Sequence, residues 1–580
     1  MKCMGAKVLA SCYLVAWSLP LWFHFTLINA FPAIAQTTAQ PQQPSPQPSP
    51  ASQAAIKAEK TDSCPQPYKY EPSLQKILVD SPVGKIQVRG YTVLTEAEIN
   101  EAVNKALDSL QGSPLTPEGL GRKVIDQITL LYISKGYITS RVAFETPPVK
   151  DGLIQLIAVE GYVSTIEVQG RQRLNLAYIC SRIRQGITPP LKKDQLEEQL
   201  RLLKTDPFFS NVEANLKAGK LLGESILALQ VIESKAFNSS LGSDNFSPPS
   251  IGSERLGAAL SYRNLTGMGD ALSASYYIST TGGSKAFDVN YRVPLDPMNG
   301  TIQLRVAPSR SKITNQFKAA GIRADNNLYE ITYRQPIVRS VREEFAFSLG
   351  LSVENGQTFL LNEIPYRFGS GPDANGNSRT RVLRFGQDYV KRDVNGAWGL
   401  RSQFSFGLNI FNATSNPAPT PDGSFFSWLG QVQRIQRINE DNLLIAQADV
   451  QLTPDSLLPS QQYILGGGQS VRGFRQNARS GDNGFRASLE NRIAVLRDKN
   501  GLPILQLAPF ADMGKVWNKS GNPNKLGDQN FLAGVGIGII LEPSSGLVVR
   551  LDYAYPLIDL RDRGNNAQDK GFYFSVGLTL

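Results

Sequence analysis

Hydrophobic and polar residues alternate through most of the second half of the chain, from about residue 235 to the last residue. Between 345 and 353, phenylalanine, leucine and valine alternate with alanine, serine and glycine. A period of two indicates β-strands with one apolar and one polar face. The pattern predicts sixteen strands, at 236–244, 254–263, 270–279, 285–293, 301–308, 327–335, 343–353, 380–390, 397–410, 424–435, 442–452, 483–494, 503–513, 531–541, 547–556 and 571–580.

The lengths and connections of these strands predict a barrel that crosses a bacterial outer membrane. Membrane strands need about 9 to 11 residues, and single-chain bacterial barrels use an even number of them. The barrel must close because hydrocarbon offers no partner to an unpaired backbone amide or carbonyl. Short turns such as 265–270 and 542–546 would face the periplasm, and the loops 309–326, 354–379 and 453–482 would face outside. A soluble β-sandwich is the alternative that alternation alone leaves open.

Residues 84–160 follow a different pattern, which predicts a small α/β unit. A strand at 85–89 precedes a capping box from Thr95 to Glu98, which opens a helix that runs to about Ser109. Thr116 and Pro117 begin a second helix, which Gly136 is placed to end. Strands at 138–144 and 153–159 complete the order βααββ.

The same order of elements returns immediately afterwards. Between 163 and 232 the sequence predicts strands at 165–169, 212–217 and 225–231 and helices at 175–185 and 192–204. An internal repeat of about 75 residues indicates two copies of one supersecondary unit. Two unrelated modules of the ferredoxin-like type are the alternative.

The N-terminal residues predict export from the cytoplasm. Lys2 and Lys7 precede an apolar run that ends at Ala33-Ile34-Ala35, so the mature chain is expected to begin at Gln36. An uncleaved membrane helix is the alternative, but prolines and polar residues interrupt the run. The predicted organisation is a signal peptide at 1–35, a Pro/Gln-rich extension and linker at 36–75 with a short helix at 51–60, α/β units at 76–160 and 161–234, and the barrel at 235–580.

Cleavage of the signal peptide removes the only histidine, His24, and two of the four cysteines. Ser-His-Asp and Cys-His sites need histidine as a proton carrier, and zinc sites are usually built from histidine and clustered cysteine. No G-x-x-x-x-G-K-[ST] phosphate loop is present in the sequence. We therefore expect no enzyme activity, catalytic residue, metal or cofactor. Cys64 and Cys180 either pair in an oxidising compartment or remain separate.

The net charge of +10 does not indicate a nucleic-acid partner, because lysine and arginine are scattered along the chain. Dispersed arginines fit a wet barrel lumen or loops that face the anionic headgroups of outer-membrane lipid, including lipopolysaccharide. We therefore expect a lipid partner and no nucleic acid.

Two short motifs stand out within the barrel. Val471-Arg472-Gly473-Phe474 lies in the loop 453–482, and Phe510-Ala-Asp512-Met-Gly514 lies in the thirteenth predicted strand. If Leu505, Leu507 and Pro509 face lipid, the period of two turns Phe510 and Asp512 to the lumen, where Asp512 can meet Arg472. A single VRGF sequence is typical of a surface turn, but the second motif favours a functional pair.

These motifs resemble the VRGF/VRGY and FxDxG signatures of outer-membrane barrels that carry POTRA domains. The repeats resemble tandem POTRA domains, with 205–212 similar to the helix-to-strand turn of that family. The fold is thus expected to be two tandem α/β POTRA domains followed by a 16-stranded antiparallel transmembrane β-barrel. As a whole, 85–580 resembles the outer-membrane transporters of two-partner secretion, of the hemolysin activation and secretion type.

The resemblance implies a function and a location. The loop would dip into the lumen and hold Arg472 against Asp512, with Gly473 allowing close approach beside Phe474. Periplasmic POTRA domains would bind an extended client by strand addition, and the barrel would export this unfolded, β-rich exoprotein to the cell surface without nucleotide hydrolysis. The last strand, 571–580, resembles the signal read by the barrel-assembly machinery, although it ends in Leu580 where an aromatic residue is common.

Three alternatives follow from the same features. An outer-membrane assembly or insertion factor shares both motifs but tends to carry more POTRA domains. A passive porin explains the strands but neither the repeats nor the lumenal arginine. An outer-membrane hydrolase would need a base that the histidine-free mature chain lacks.

Overall fold

The computed structural model describes residues 61–65, 73–110 and 116–580. The predicted signal peptide and the predicted helix at 51–60 lie outside the described residues. The described chain divides into two compact units: one runs to Lys235 and includes Thr266–Gly269, and the other comprises Ala236–Leu265 and Asp270–Leu580. None of the helices in the described ranges is long and apolar enough to cross a bilayer.

The first α/β segment has the predicted order of elements and one additional strand. The additional strand is Lys76–Ser81 (β2), which the sequence pattern does not predict and which pairs antiparallel with Gly84–Arg89 (β3). With Arg141–Lys150 (β4) and Leu153–Val159 (β5), the order in the sheet is β2-β3-β5-β4. The capping box is present at Thr95 and Glu98. A hydrogen bond from Lys135 lowers the pKa of the Glu98 carboxyl. The elements are β2 (Lys76–Ser81), β3 (Gly84–Arg89), α1 (Glu96–Asp108), α2 (Pro117–Ser134), β4 (Arg141–Lys150) and β5 (Leu153–Val159).

The second α/β segment repeats this arrangement. Its four strands are Asp62–Ser63 (β1), Tyr162–Gln169 (β6), Phe209–Ala218 (β7) and Glu224–Glu233 (β8), in the sheet order β1-β6-β8-β7. Its helices cover a core that includes Ile166, Leu174 and Ile179. A short 3₁₀ helix, Arg184–Gly186, follows α3. The elements are β1 (Asp62–Ser63), β6 (Tyr162–Gln169), α3 (Leu176–Ile183), α4 (Lys193–Lys204), β7 (Phe209–Ala218) and β8 (Glu224–Glu233).

Part of the segment predicted as a linker is ordered against the second sheet. Asp62 and Ser63 form β1, and Cys64 forms a disulfide with Cys180 of α3. Residues 61–65, which lie within the predicted extension and linker at 36–75, thus belong to the second sheet. Two residues of strand are too short to produce a period, so the sequence pattern could not reveal them.

Sixteen strands of the remaining residues form a closed antiparallel barrel, and an extra two-residue strand, β16 (Ile364–Pro365), pairs with β15 (Glu343–Leu360). The last strand, β27 (Phe572–Thr579), pairs with the first, β9 (Phe237–Asp244), and completes the ring. The strands are β9 (Phe237–Asp244), β10 (Arg255–Arg263), β11 (Ala271–Ser279), β12 (Ser284–Pro294), β13 (Thr301–Lys312), β14 (Arg323–Arg339), β15 (Glu343–Leu360), β17 (Asn377–Asp393), β18 (Gly396–Gly407), β19 (Phe426–Arg437), β20 (Asn442–Leu452), β23 (Asn483–Arg497), β24 (Pro503–Trp517), β25 (Phe531–Ser544), β26 (Leu547–Pro556) and β27 (Phe572–Thr579).

Several strands run further than the alternation predicted. β13 and β14 extend into the expected loop 309–326, and β15 and β17 extend into the expected loop 354–379, so those loop boundaries were wrong. In the extensions, polar residues pair with polar residues, as in Asp325 with Gln357 and Asn327 with Asn355. Backbone pairing continues there without an apolar face, and alternation therefore disappears before the strand ends.

Candidate functional site

The loop between β20 and β23, residues 453–482, folds back onto the barrel wall. Two short strands, β21 (Tyr463–Leu465) and β22 (Arg479–Gly481), pair antiparallel within it. Between them, Val471, Arg472 and Phe474 are buried, with exposures of 0%, 5% and 3%. Gly473 has φ +100°, and a Cβ there would lie 3.2 Å from the backbone of Pro556. The motif is thus closely packed, and Gly473 adopts a backbone conformation that other residues rarely take.

The wall motif lies on β24 with alternating orientation. Phe510 and Asp512 are buried, whereas Pro509 and Met513 are exposed. A Cβ at Gly514 would lie 3.0 Å from the Leu465 side chain, so the missing side chain makes room for the base of the loop. The buried face of this strand therefore receives the loop.

Arg472 contacts both Asp512 and Phe510 on this face, through its guanidinium group and its backbone amide. Its Nε donates to Asp512 Oδ2 at 2.6 Å and its Nη2 donates to Asp512 Oδ1 at 2.9 Å, which is a bidentate contact. The backbone amide of Arg472 donates to the same carboxylate at 3.2 Å. The guanidinium carbon lies 3.3 Å from the centroid of the Phe510 ring. The structure thus brings Arg472, Phe510 and Asp512 together.

A second carboxylate, which the sequence analysis missed, completes the site. Glu490 of β23 accepts from Arg472 Nη1 at 2.8 Å and from Arg550 Nη2 at 2.7 Å. Ser488, two residues before it, donates from Oγ to Asp512 Oδ1 at 2.6 Å. The alternation of 483–494 places Ser488 and Glu490 on one face, but no motif distinguishes them from other inward polar residues. The pairing register of β23 with β24 brings them to the site, because Ser488 lies directly opposite Asp512.

Two glycines on the next strand, β25, leave space for the backbone of Arg472 and for the aromatic ring of Phe510. A Cβ at Gly534 would lie 2.1 Å from the carbonyl oxygen of Arg472. A Cβ at Gly536 would lie 2.2 Å from the carbonyl oxygen of Tyr553 and 2.5 Å from Cζ of Phe510. Real Cβ atoms do not approach other atoms so closely, so a side chain at Gly534 displaces the loop, and one at Gly536 displaces the ring and the neighbouring strand.

Tyr573 of the last strand fixes the backbone of the loop. Its hydroxyl accepts from the amide of Gly473 at 2.8 Å and donates to the carbonyl of Phe474 at 2.7 Å. Tyr573 is 2% exposed, so both bonds are shielded from water. Alternation places Tyr573 opposite to the apolar face of β27, but the sequence does not indicate its partner.

We expect Tyr573→Phe to loosen the loop by about 1 to 3 kcal/mol, because an amide and a carbonyl lose their shielded partner while the ring remains. Limited proteolysis of the loop in folded barrels checks this expectation. Tyr555→Phe, which changes an exposed tyrosine of β26, is the control. Equal protease resistance in the wild type and Tyr573→Phe would contradict the expectation.

Comparisons with known proteins cover both halves of the chain. Residues 223–541 match the family model described as haemolysin secretion/activation protein ShlB/FhaC/HecB. Residues 81–161 match the model of the POTRA domain, ShlB-type. The first match spans more than half of the chain and includes all the motif residues.

Individual proteins of the same kind also resemble this chain, at about a quarter sequence identity. The outer membrane transporter CdiB of Escherichia coli is 26% identical over 423 residues, which cover 69% of this chain and 67% of that protein. The hemolysin transporter protein ShlB of Serratia marcescens is 26% identical over 513 residues, 82% of each chain. The solved structure of CdiB from Escherichia coli aligns with a TM-score of 0.66 at 19% identity, covering 100% of this chain and 96% of that one. The structural likeness concerns the fold.

Proposed function

The chain belongs to the haemolysin secretion/activation family ShlB/FhaC/HecB, and on that premise we propose that it exports an unfolded, β-rich partner exoprotein from the periplasm to the cell surface. Membership makes it an outer-membrane transporter of two-partner secretion, with its POTRA domain in the periplasm. The family is one of transporters and not of enzymes. The observation that carries the proposal is the closed barrel with a long loop bound to its buried face by Arg472.

The second α/β segment, 161–234, is in this proposal a second POTRA domain after the first at 76–160. The two segments share buried details as well as the order of their elements. Glu160, after β5, accepts from the amides of Thr92 and Val93, and Glu233, at the end of β8, accepts from the amides of Gln172 and Arg173. In each segment a carboxylate thus holds the loop that leads into the first helix, after β3 in one and after β6 in the other. We assign 1–35 to a signal peptide, 36–75 to an extension and 235–580 to the barrel.

Strand addition to an open sheet edge is the proposed means of capturing the client. β7 is the outer strand of the second sheet, and its ten residues contain no proline. The corresponding edge of the first sheet, β4, contains Pro147 and Pro148, which cannot donate a backbone hydrogen bond. An unfolded, β-rich client offers extended segments that bond through the main chain and tolerate sequence variation. β7 is therefore the favoured edge.

The loop 453–482 is the proposed plug of the export path. The face of β24 that carries Asp512 is buried, and the opposite face carries exposed apolar residues, such as Pro509 and Met513, that are suited to lipid. We take the first face as the lumen wall. An unfolded chain needs room in the lumen, so the loop must shift during export, and the position bound at Arg472 is the one from which each round of export starts and to which the loop must return.

Two further partners belong to the proposal. Loops and arginines at the outer rim would contact lipopolysaccharide, whose headgroups are anionic. The barrel-assembly machinery would insert the chain by recognising β27, where Phe572, Val576 and Leu578 lie on the exposed face. The departure at Leu580 predicts weaker recognition than a terminal aromatic would give.

We expect cells that lack this chain to retain its partner exoprotein in the periplasm, and complementation to restore the exoprotein at the surface. Immunoblots of cell fractions measure this. The control is the assembly of unrelated outer-membrane proteins. Normal export accompanied by loss of other barrels would instead support the alternative function, an assembly or insertion factor.

A further inference from the structure

The segment 61–65 covers one edge of the second sheet. Asp62 pairs with Val168 and Ser63 with Glu167, and the amide of Cys64 donates to the carbonyl of Ile166 at 2.9 Å. Without this segment, β6 would be an outer strand. An outer strand presents unpaired amides and carbonyls that accept another extended chain. The segment therefore occupies a site that is competent to bind a strand.

Noncovalent contacts alone hold the segment weakly. The ion pair of Arg171 with Asp62, at 2.6 Å, is partly open to solvent, and pairs of that kind contribute little. Gln169 Nε2 donates to Thr61 Oγ1 at 2.9 Å, also at an exposed position. Two pairs of residues are fewer than a stable strand needs.

The disulfide supplies what these contacts lack. Cys64 and Cys180 are 4% and 2% exposed, and the bond joins the segment to α3 across 116 residues of sequence. A covalent tether turns rebinding of the segment into an intramolecular event at high effective concentration. An incoming strand therefore cannot displace the segment at ordinary client concentrations.

We propose that the β6 edge is a strand-binding site kept occupied by residues 61–65, and that the Cys64–Cys180 bond directs the client to the opposite edge, β7. The inference rests on the proposed capture of a client by strand addition. It adds that one sheet has two edges able to bind a strand and that the chain closes one of them. The ligand class for both edges is an extended, unfolded polypeptide.

A photoreactive benzophenone side chain at Glu167 of β6, or at Glu213 of β7, reports which edge the exoprotein contacts during export. In the otherwise wild-type chain we expect crosslinks from position 213 and only background from position 167. In the Cys64→Ser/Cys180→Ser chain we expect at least a fivefold rise at position 167. Asp62→Ala, which keeps the disulfide, is the matched control and should stay at background.

The outcomes separate this inference from the function on which it rests. Crosslinks at position 167 in the wild type, or no rise there in the serine chain while position 213 still reacts, would overturn the blocked edge and leave client capture intact. Silence at both positions in every chain would overturn client capture and the blocked edge with it. Equal amounts of heat-modifiable barrel in all chains show that the substitutions have not prevented folding.

Discussion

Replacing Arg472 with alanine should reduce export to a few per cent of the wild-type level or less, while the barrel still inserts into the outer membrane. The guanidinium bonds two carboxylates, Asp512 and Glu490, at 0% and 8% side-chain exposure. Its removal leaves Asp512 buried with only a serine hydroxyl and a backbone amide as partners. Breaking a buried pair in this way costs about 3 to 5 kcal/mol. Because about 1.4 kcal/mol is a factor of ten, the bound position of the loop loses about a hundredfold or more in population.

Neighbouring variants test whether charge or geometry is responsible. Arg472→Lys should restore little export, because an ammonium cannot form a bidentate contact with Asp512 and bond Glu490 as well. Asp512→Ala should reduce export as much as Arg472→Ala, since each removes the bidentate contact between these two side chains. Glu490→Gln should have a smaller effect, because Asp512 still holds the arginine and only the charge of the second partner is lost.

Two measurements are needed for each variant. Surface exoprotein gives export, and the shift in gel mobility on heating gives the amount of folded barrel. Wild-type export by Arg472→Ala and Asp512→Ala would remove this site from the mechanism. Loss of the heat-modifiable barrel itself would show that the pair serves assembly and not export.

The barrel could be predicted because its signal is repeated along half the chain. Each strand has an apolar face for lipid, so one slip in register would expose polar residues to hydrocarbon, and alternation therefore fixes both the strands and their orientation. The same reasoning turned Asp512 to the buried face, where the structure has it. It failed where β14 and β15 leave the apolar band, because backbone pairing alone leaves no mark in the sequence.

The rest of the site depends on contacts between distant elements. Glu490, Tyr573 and Gly534 reach Arg472 or its neighbours from three different strands. Each is an ordinary inward residue by pattern, and only the order of strands around the ring brings it to the loop. β1 was missed for a related reason, since its partner β6 lies about a hundred residues further along the chain.

Gly534→Ala should displace the loop as effectively as removal of the arginine. The new Cβ would lie 2.1 Å from the carbonyl oxygen of Arg472, which is a backbone atom and cannot swing aside like the end of a long side chain. Either β25 or the loop must move, and β25 is held by pairing with both β24 and β26. The loop therefore shifts, and Arg472 loses its bidentate contact with Asp512.

We expect export by Gly534→Ala to fall at least tenfold and single-channel conductance in planar bilayers to rise. Gly577→Ala is the matched control: it also adds one methyl group to a wall glycine, but its Cβ would meet nothing within 4 Å. The double variant Arg472→Ala/Gly534→Ala should be no worse than Arg472→Ala alone, because both changes release the same loop. Additive losses in the double variant, or equal losses from Gly577→Ala, would mean that Gly534 acts through the barrel wall and not through Arg472.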